Sequence, residues 1–339
     1  MKSPNSIASD GTPINGLLPV DAVIDLIKAG ASLSLAGRKA ALDRLPAGRW
    51  IAGTSPYFMT ADGGRIIDDD VLFVTDLGSI GEVTFATYDA DQLERISGDA
   101  PDSGLALAVI PAGSRCHTEF AQNAASYPMA FLRPTVGWIS GYDLAHPDES
   151  AYAYDGQVAT AYEDRVAVAH ITIPESESPV IEIVNIFAPD GGDVIRFEEA
   201  GFTPEWCLVG GERKRFADYV VERGREGGDL PLVGDFGGAR VNASLKTVDA
   251  QAGTVELYAP VFAGVDYSFA APVGDYADGF RKALETQPFD GAVWSCNCIL
   301  NFLFGQLEGV AIGGVAGPVT FGEVAYQLLN QTMVVIRKD

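Results

Sequence analysis

Basic residues are scarce in this chain of 339, with 23 Lys and Arg against 46 Asp and Glu and a formal net charge of −23. That imbalance repels phosphate backbones and anionic lipid surfaces, so nucleic acid and the membrane are set aside as partners. The richest basic run, Arg213-Lys214-Arg215, is short and soon followed by Asp218 and Glu222. Cysteine is rarer still, four in all, and Cys296 and Cys298 stand one residue apart, which suits reduced thiols rather than a disulfide framework. No apolar run approaches the length that spans a bilayer, and Met1-Lys2-Ser3-Pro4-Asn5-Ser6 lacks the charged-then-apolar pattern of a secretory signal. A cytoplasmic location is the expectation. Catalytic signatures are missing too. Gly191-Gly192 and Gly313-Gly314 do not lead into the Gly-Lys-Ser/Thr of a phosphate loop, and no Gly-x-Ser-x-Gly elbow offers a serine nucleophile.

What is present suits a full core: 47% hydrophobic and 20% charged residues, over a length that suggests two domains or one duplicated one. Val20, Val23, Ile24 and Ile27 recur at helical spacing with Gly30 as the stop. Leu33–Gly37, Trp50–Gly53, Asp70–Thr75, Leu105–Pro111 and Val180–Phe187 read as strands, with helices expected over 38–45, 118–127, 211–224 and 275–285. Near the end, Phe289–Trp294 reads as a buried strand, Ser295–Cys298 as the turn after it and Ile299–Phe304 as a helical start. Strands and helices interleave, which favours an α/β or mixed α+β fold. The polar, proline-bracketed run Pro174–Pro179 is the best linker, and it divides the chain into residues 1–178 and 179–339.

The order glycine, Ser/Thr turn, polar interval, strand runs from Gly53 to Val74 and again from Gly317 to Val335, with a third echo from Val136 to Ile171. The expected architecture is therefore two related sandwich-like α/β halves with mixed sheets and an internal pseudo-duplication. Equivalent turns in such units pack together, so Thr54, Ser55, Thr320 and Glu323 are expected to line one small-molecule site with Tyr57 as a wall. Glycines 53, 317 and 322 would let backbone approach the ligand. Glu323 offers a carboxylate to an amine, which favours an amino-acid-like ligand over a phosphate. The competing reading is a capping box, Thr320-Phe321-Gly322-Glu323, opening a helix over 324–329. Asp235-Phe236-Gly237-Gly238-Ala239-Arg240 could grip a small zwitterion through Asp235 and Arg240, or be only a turn between strands. Cys296 and Cys298, in apolar company, are expected to be buried and unreactive. The rival function is an enzyme with Cys296 as nucleophile and Glu323 as acid/base partner.

Ser295-Cys296, then Gly317-Pro318-Val319-Thr320-Phe321-Gly322-Glu323, then Asn330-Gln331-Thr332-Met333-Val334-Val335 resembles the end of the FIST sensory domain. There a Ser-Cys strand end precedes a Gly-x-x-Thr-x-Gly-Glu turn and an Asn-x-Thr closing strand. Gly53-Thr54-Ser55 followed by Asp70-Val71-Leu72-Phe73-Val74 is similar to the start of that domain. The family's arginine after the Ser-Cys turn is replaced by Asn297, Cys298 and Ile299, and its His-Asn pair by Leu329-Asn330. The resemblance implies a stand-alone intracellular sensor of a small polar ligand, with a signalling protein as downstream partner and Ser295, Cys296 and Asn330 added to the site. Some bacterial members of that family are associated with haem, which His146 or His170 could ligate.

Overall fold

The computed structural model describes residues 14–286 and 291–338. Phe289 and Asp290, at the head of the expected last buried strand, lie outside them, as does Met1–Ser6. The fold is α/β, with mixed sheets.

One supersecondary unit occurs three times. In the first, strand Asn15–Pro19 leads into helix Val20–Lys28, strand Leu33–Gly37, the short helix Lys39–Leu42 and strand Trp50–Thr54. A hairpin, Tyr57–Thr60 and Gly63–Ile66, and a closing strand, Val71–Asp76, complete it. The closing strand lies antiparallel between Asn15–Pro19 and Leu33–Gly37, and Leu33–Gly37 runs parallel to Trp50–Thr54. The second unit repeats the pattern with Glu82–Tyr88, Gly104–Pro111, helix Arg115–Asn123, Thr135–Ser140, the hairpin Ala153–Asp155 and Thr160–Tyr162, and Val166–Thr172. The third uses Pro179–Val184, helix Tyr276–Thr286, Ala292–Cys298, helix Ile299–Phe304, Gly317–Thr320, the hairpin Glu323–Ala325 and Gln327–Leu329, and Met333–Lys338.

The internal repetition is thus present, but as three units rather than the two halves expected, because the third echo is a full member of it. Residue 178 falls between the second and third units. Between Val184 and Tyr276 the third unit carries a long insertion with its own six-stranded sheet and a two-stranded ladder, Leu245–Asp249 with Thr254–Leu257. The insertion has a separate core around Phe197, Phe216, Tyr219 and Tyr267.

Each unit donates its hairpin to a neighbour. The first unit's Tyr57–Thr60 pairs with Gly317–Thr320 of the third, and the second unit's Ala153–Asp155 with Trp50–Thr54 of the first. The third unit's Glu323–Ala325 pairs with Thr135–Ser140 of the second, which closes a cycle. Each four-stranded unit sheet so becomes six-stranded. A hairpin alone in water is marginal, whereas one added to a neighbour's edge satisfies that edge and covers its core. The central core, including Phe58, Phe73, Leu107, Trp138, Trp294 and Val334, draws on all three units.

Several local expectations hold. Val20, Val23 and Ile27 are buried, and Gly30 ends that helix at φ +84°. Gly104–Pro111 is buried at every position, as expected of a strand covered on both faces.

Three are corrected. Ser295–Cys298 is no turn but the end of the strand Ala292–Cys298, held parallel to Gly317–Thr320. The residues after Glu323 form a hairpin rather than a helix, turning at Tyr326 with φ +64°. The segment from 211 opens as strand Glu212–Arg215 against Trp206–Val209, and only Phe216–Glu222 is helical.

Candidate functional site

Across the parallel pairs Thr54 stands opposite Gly37, Ser140 opposite Pro111 and Thr320 opposite Cys298, so these three hydroxyl residues are equivalents at the ends of equivalent strands. All three are buried. The strand ends also meet. Thr54 Oγ1 donates to Gly141 O at 2.6 Å, and Ser55 Oγ donates to Val319 O at 2.6 Å. Ile139 N–H donates to Gly322 O and Phe321 N–H to Ile139 O, at 2.8 and 3.0 Å. The expected meeting of the Gly53 and Gly317 turns therefore occurs, with a third partner, Ser140, that sequence reasoning passed over; the third echo was the signal for it.

Thr54 and Ser55 use their hydroxyls to join the first unit to the second and the third, whereas the hydroxyls of Ser140 and Thr320 bond within their own units. Thr320 Oγ1 lies 3.2 Å from Asn297 O, 3.0 Å from Gly322 O and 3.2 Å from Glu323 Oε1. Thr332 Oγ1 is 2.8 Å from Glu323 Oε2. Glu323 is fully buried, and desolvation pushes its carboxyl up to about 8 against the pull of the threonine hydrogen bonds. At neutral pH it is an uncharged acid. Thr320 has one proton for two carbonyls, so the Glu323 carboxyl O–H can donate to Thr320 Oγ1. The glycines likewise serve the protein: a Cβ on Gly317 would stand 2.0 Å from Ser295 O, and one on Gly53 2.6 Å from the Trp138 ring.

The remaining expected residues scatter. Ser295 Oγ donates to Ala316 O at 2.8 Å inside its sheet. Cys296 and Cys298 are buried, and burial, with the nearby Glu323, pushes both thiols well above the ordinary cysteine range. Asp235 and Arg240 face each other across an exposed hairpin of the insertion, where Asp235 Oδ1 accepts from Gly238 N–H. Of the histidines named for haem, His146 is exposed and His170 is buried against Tyr88, 2.9 Å from its hydroxyl. Among the described residues no group of three or more His, Cys, Asp and Glu is placed to hold a metal ion.

Two clefts open beside the meeting strand ends, with Tyr142 on the wall of both. The larger, 620 Å³, has Thr54 and Ser55 on its wall together with Arg38 and Asp143. Tyr57 O–H donates to Asp143 Oδ1 at 3.2 Å, and Arg38 binds Asp143 Oδ2 at 2.7 Å. Burial would raise the Asp143 carboxyl, but hydrogen bonds from Ala145 N–H, Arg38 and Tyr57 outweigh it and hold the group below the usual carboxylate range.

The smaller cleft, 470 Å³, lies between the second and third units and is walled by the insertion. The second unit supplies Gly113, His117 and Tyr142, and the third Ile299, Leu300, Leu303, Phe321 and Asn330. Phe202, Lys246, Glu256 and Tyr258 come from the insertion. Of the large apolar side chains left exposed, Leu144, Leu303 and Tyr258 all line this cleft. Asn330 is the one sequence-expected residue here. His117 and Lys246 carried no motif, and only the fold brings them to it.

Three cyclically joined α/β units with a cleft roofed by an insertion define a repeat-built protein with a preformed pocket. Residues 18–339 match the family model DUF6976, a family of unknown function, and the chain belongs to that family. No curated protein and no solved structure matches it.

Proposed function

We propose that this protein is a small-molecule-binding sensor and that its ligand occupies the cleft between the second unit, the third unit and the insertion. The carrying observation is the 470 Å³ cleft itself, ringed by Leu144, Leu303 and Tyr258. That volume is in the range of small-molecule sites, and a mostly apolar wall with few polar groups is their usual composition. A molecule bound there would bridge three separately built segments, and its differential contacts would favour the arrangement in which they close on it. That supports a sensory role, with a protein partner reading the change. The likeness to FIST domains points the same way from sequence motifs alone. The buried, strongly protonated thiol of Cys296 speaks against the rival cysteine nucleophile, since the thiolate is the reactive form.

A ligand-observed NMR screen of fragment-sized molecules tests this. Hits should bind the wild type and be lost in Leu303→Trp, which fills the cleft mouth at an exposed position and leaves the fold intact. A screen without hits, or hits indifferent to Leu303→Trp, would remove the cleft as the site.

A further inference from the structure

Tyr142 stands on the wall of a third cleft as well, of 430 Å³. This cleft shares Ala112 and Gly113 with the smaller of the two already described and Glu149 and Ser150 with the larger, so it adjoins both. The face they form has an apolar end and an acidic end. At the mouth of the smaller cleft Leu144, Leu303 and Tyr258 leave apolar surface in water, the kind of surface on which a partner anchors.

Carboxylates prevail around the other two clefts. Asp69, Asp148, Glu149, Glu163 and Asp164 are all exposed, and among the described residues none of them is in an ion pair. Each Lys and Arg lining the three clefts is already answered: Arg38 by Asp143, Lys39 by Asp43, Arg115 by Asp91 and Lys246 by Glu256, at 2.5 to 2.7 Å. An occupant of this face therefore meets a local excess of negative charge that favours cations and repels phosphate or acidic partners. Each cleft alone has the size of a small-molecule site, roughly 300–1,000 Å³, so an occupant of all three is longer than one small molecule. A polyamine would match the charge but bring no side chain to Leu144, Leu303 and Tyr258. An extended polypeptide carries both characters on successive side chains.

We propose that this face docks an extended basic segment of a partner protein. An apolar side chain of the segment rests on Leu144, Leu303 and Tyr258, and its Lys or Arg side chains lie over Asp148, Glu149 and Glu163. The docking face goes beyond the ligand reading and does not require it, since the anchor sits at the mouth of the smaller cleft.

The test selects short peptides from a random displayed library on the full chain at physiological salt. Recovered peptides are expected to combine several Lys or Arg residues with an apolar one, and the best of them, made synthetically and labelled, is titrated by fluorescence anisotropy. The combined variant Asp148→Asn, Glu149→Gln and Glu163→Gln should weaken its binding about tenfold or more, and Leu303→Ser about fivefold. All four positions are exposed, and Asp164, whose Oδ1 accepts from Cys116 N–H, is left unchanged. A control variant, Asp25→Asn, Glu82→Gln and Glu175→Gln, removes the same charge from exposed residues that line none of the three clefts, and should leave affinity about unchanged. Equal weakening by the two combined variants would mean that the net charge of −23, rather than this face, draws the peptide, and overturns the proposal. Recovery of no peptides, or of peptides without basic residues, overturns it too, as does binding indifferent to Leu303→Ser. Fragment hits that persist when peptides fail leave the ligand cleft standing, and peptide binding without fragment hits leaves the docking face standing.

Discussion

Glu323 ties the stability of the fold to pH in the neutral range. Its carboxyl is pushed up to about 8 in the folded chain from an ordinary 4.5, chiefly by desolvation. Below 4.5 both folded and unfolded chains hold the proton, and the contribution to stability is full. Between 4.5 and about 8 the unfolded chain ionises while the folded one does not, so stability is lost as pH rises; above that it levels off. The interval corresponds to on the order of 5 kcal/mol at 1.36 kcal/mol per pH unit. Urea unfolding of the wild type is expected to become easier from pH 5 to pH 8. Glu323→Gln, whose amide can donate to Thr320 and accept from Thr332, should lose that slope and exceed the wild type in stability at pH 8. Parallel pH profiles for the two proteins would mean that Glu323 ionises inside the fold. The residue that sequence reading assigned to a ligand amine thus acts as a neutral hydrogen-bonding acid in the core.

At the scale of elements, strand closeness decides what glycine is for. Gly317 begins a strand that runs beside Ala292–Cys298, and an added Cβ would meet Ser295 O at 2.0 Å. A backbone oxygen cannot step aside as a flexible side chain can. Gly317→Ala is expected to cost roughly 3 kcal/mol or more in chemical denaturation. Gly16, in strand Asn15–Pro19, has nothing within 4 Å of the same added atom, and Gly16→Ala should be neutral or stabilising by up to about 1 kcal/mol. Similar costs at both positions would show that packing at Gly317 relaxes. The hairpin after Glu323 makes the same point about elements. Val324–Leu329 reads as a capped helix in isolation, yet Glu323–Ala325 fills the edge of Thr135–Ser140 in another unit, and that pairing outweighs the local preference.

For the whole molecule the cyclic exchange of hairpins makes the three units depend on one another. The first two units, residues 1–178, lack Gly317–Thr320 to pair with Tyr57–Thr60 and Glu323–Ala325 to cover Thr135–Ser140. Two apolar strand edges would open to water and to other chains. Expressed alone, that fragment should aggregate or melt at least about 10 °C below the intact chain by circular dichroism, and should recover when co-expressed with 179–339. A cooperative melt of the isolated fragment at the intact temperature would show that the units are self-sufficient.

By itself the sequence determined the α/β class, the repetition and the burial of its cysteines, because periodic apolar spacing and recurring glycine-turn-strand order are local properties. It also placed the Gly53 and Gly317 turns together, since related units bring equivalent turns into contact. Which hydroxyls face a ligand was not local. Thr54 and Ser55 give theirs to backbone carbonyls of the other two units, Gly141 and Val319, while Thr320 gives its own to carbonyls within its own unit, and only the assembled sheets bring these partners together. The cleft itself belongs to the tertiary structure: His117, Lys246 and Asn330 come from a helix, an inserted ladder and the end of a hairpin, and no spacing along the chain relates them. Their meeting follows from three repeats closing into a cycle with the insertion packed against one junction.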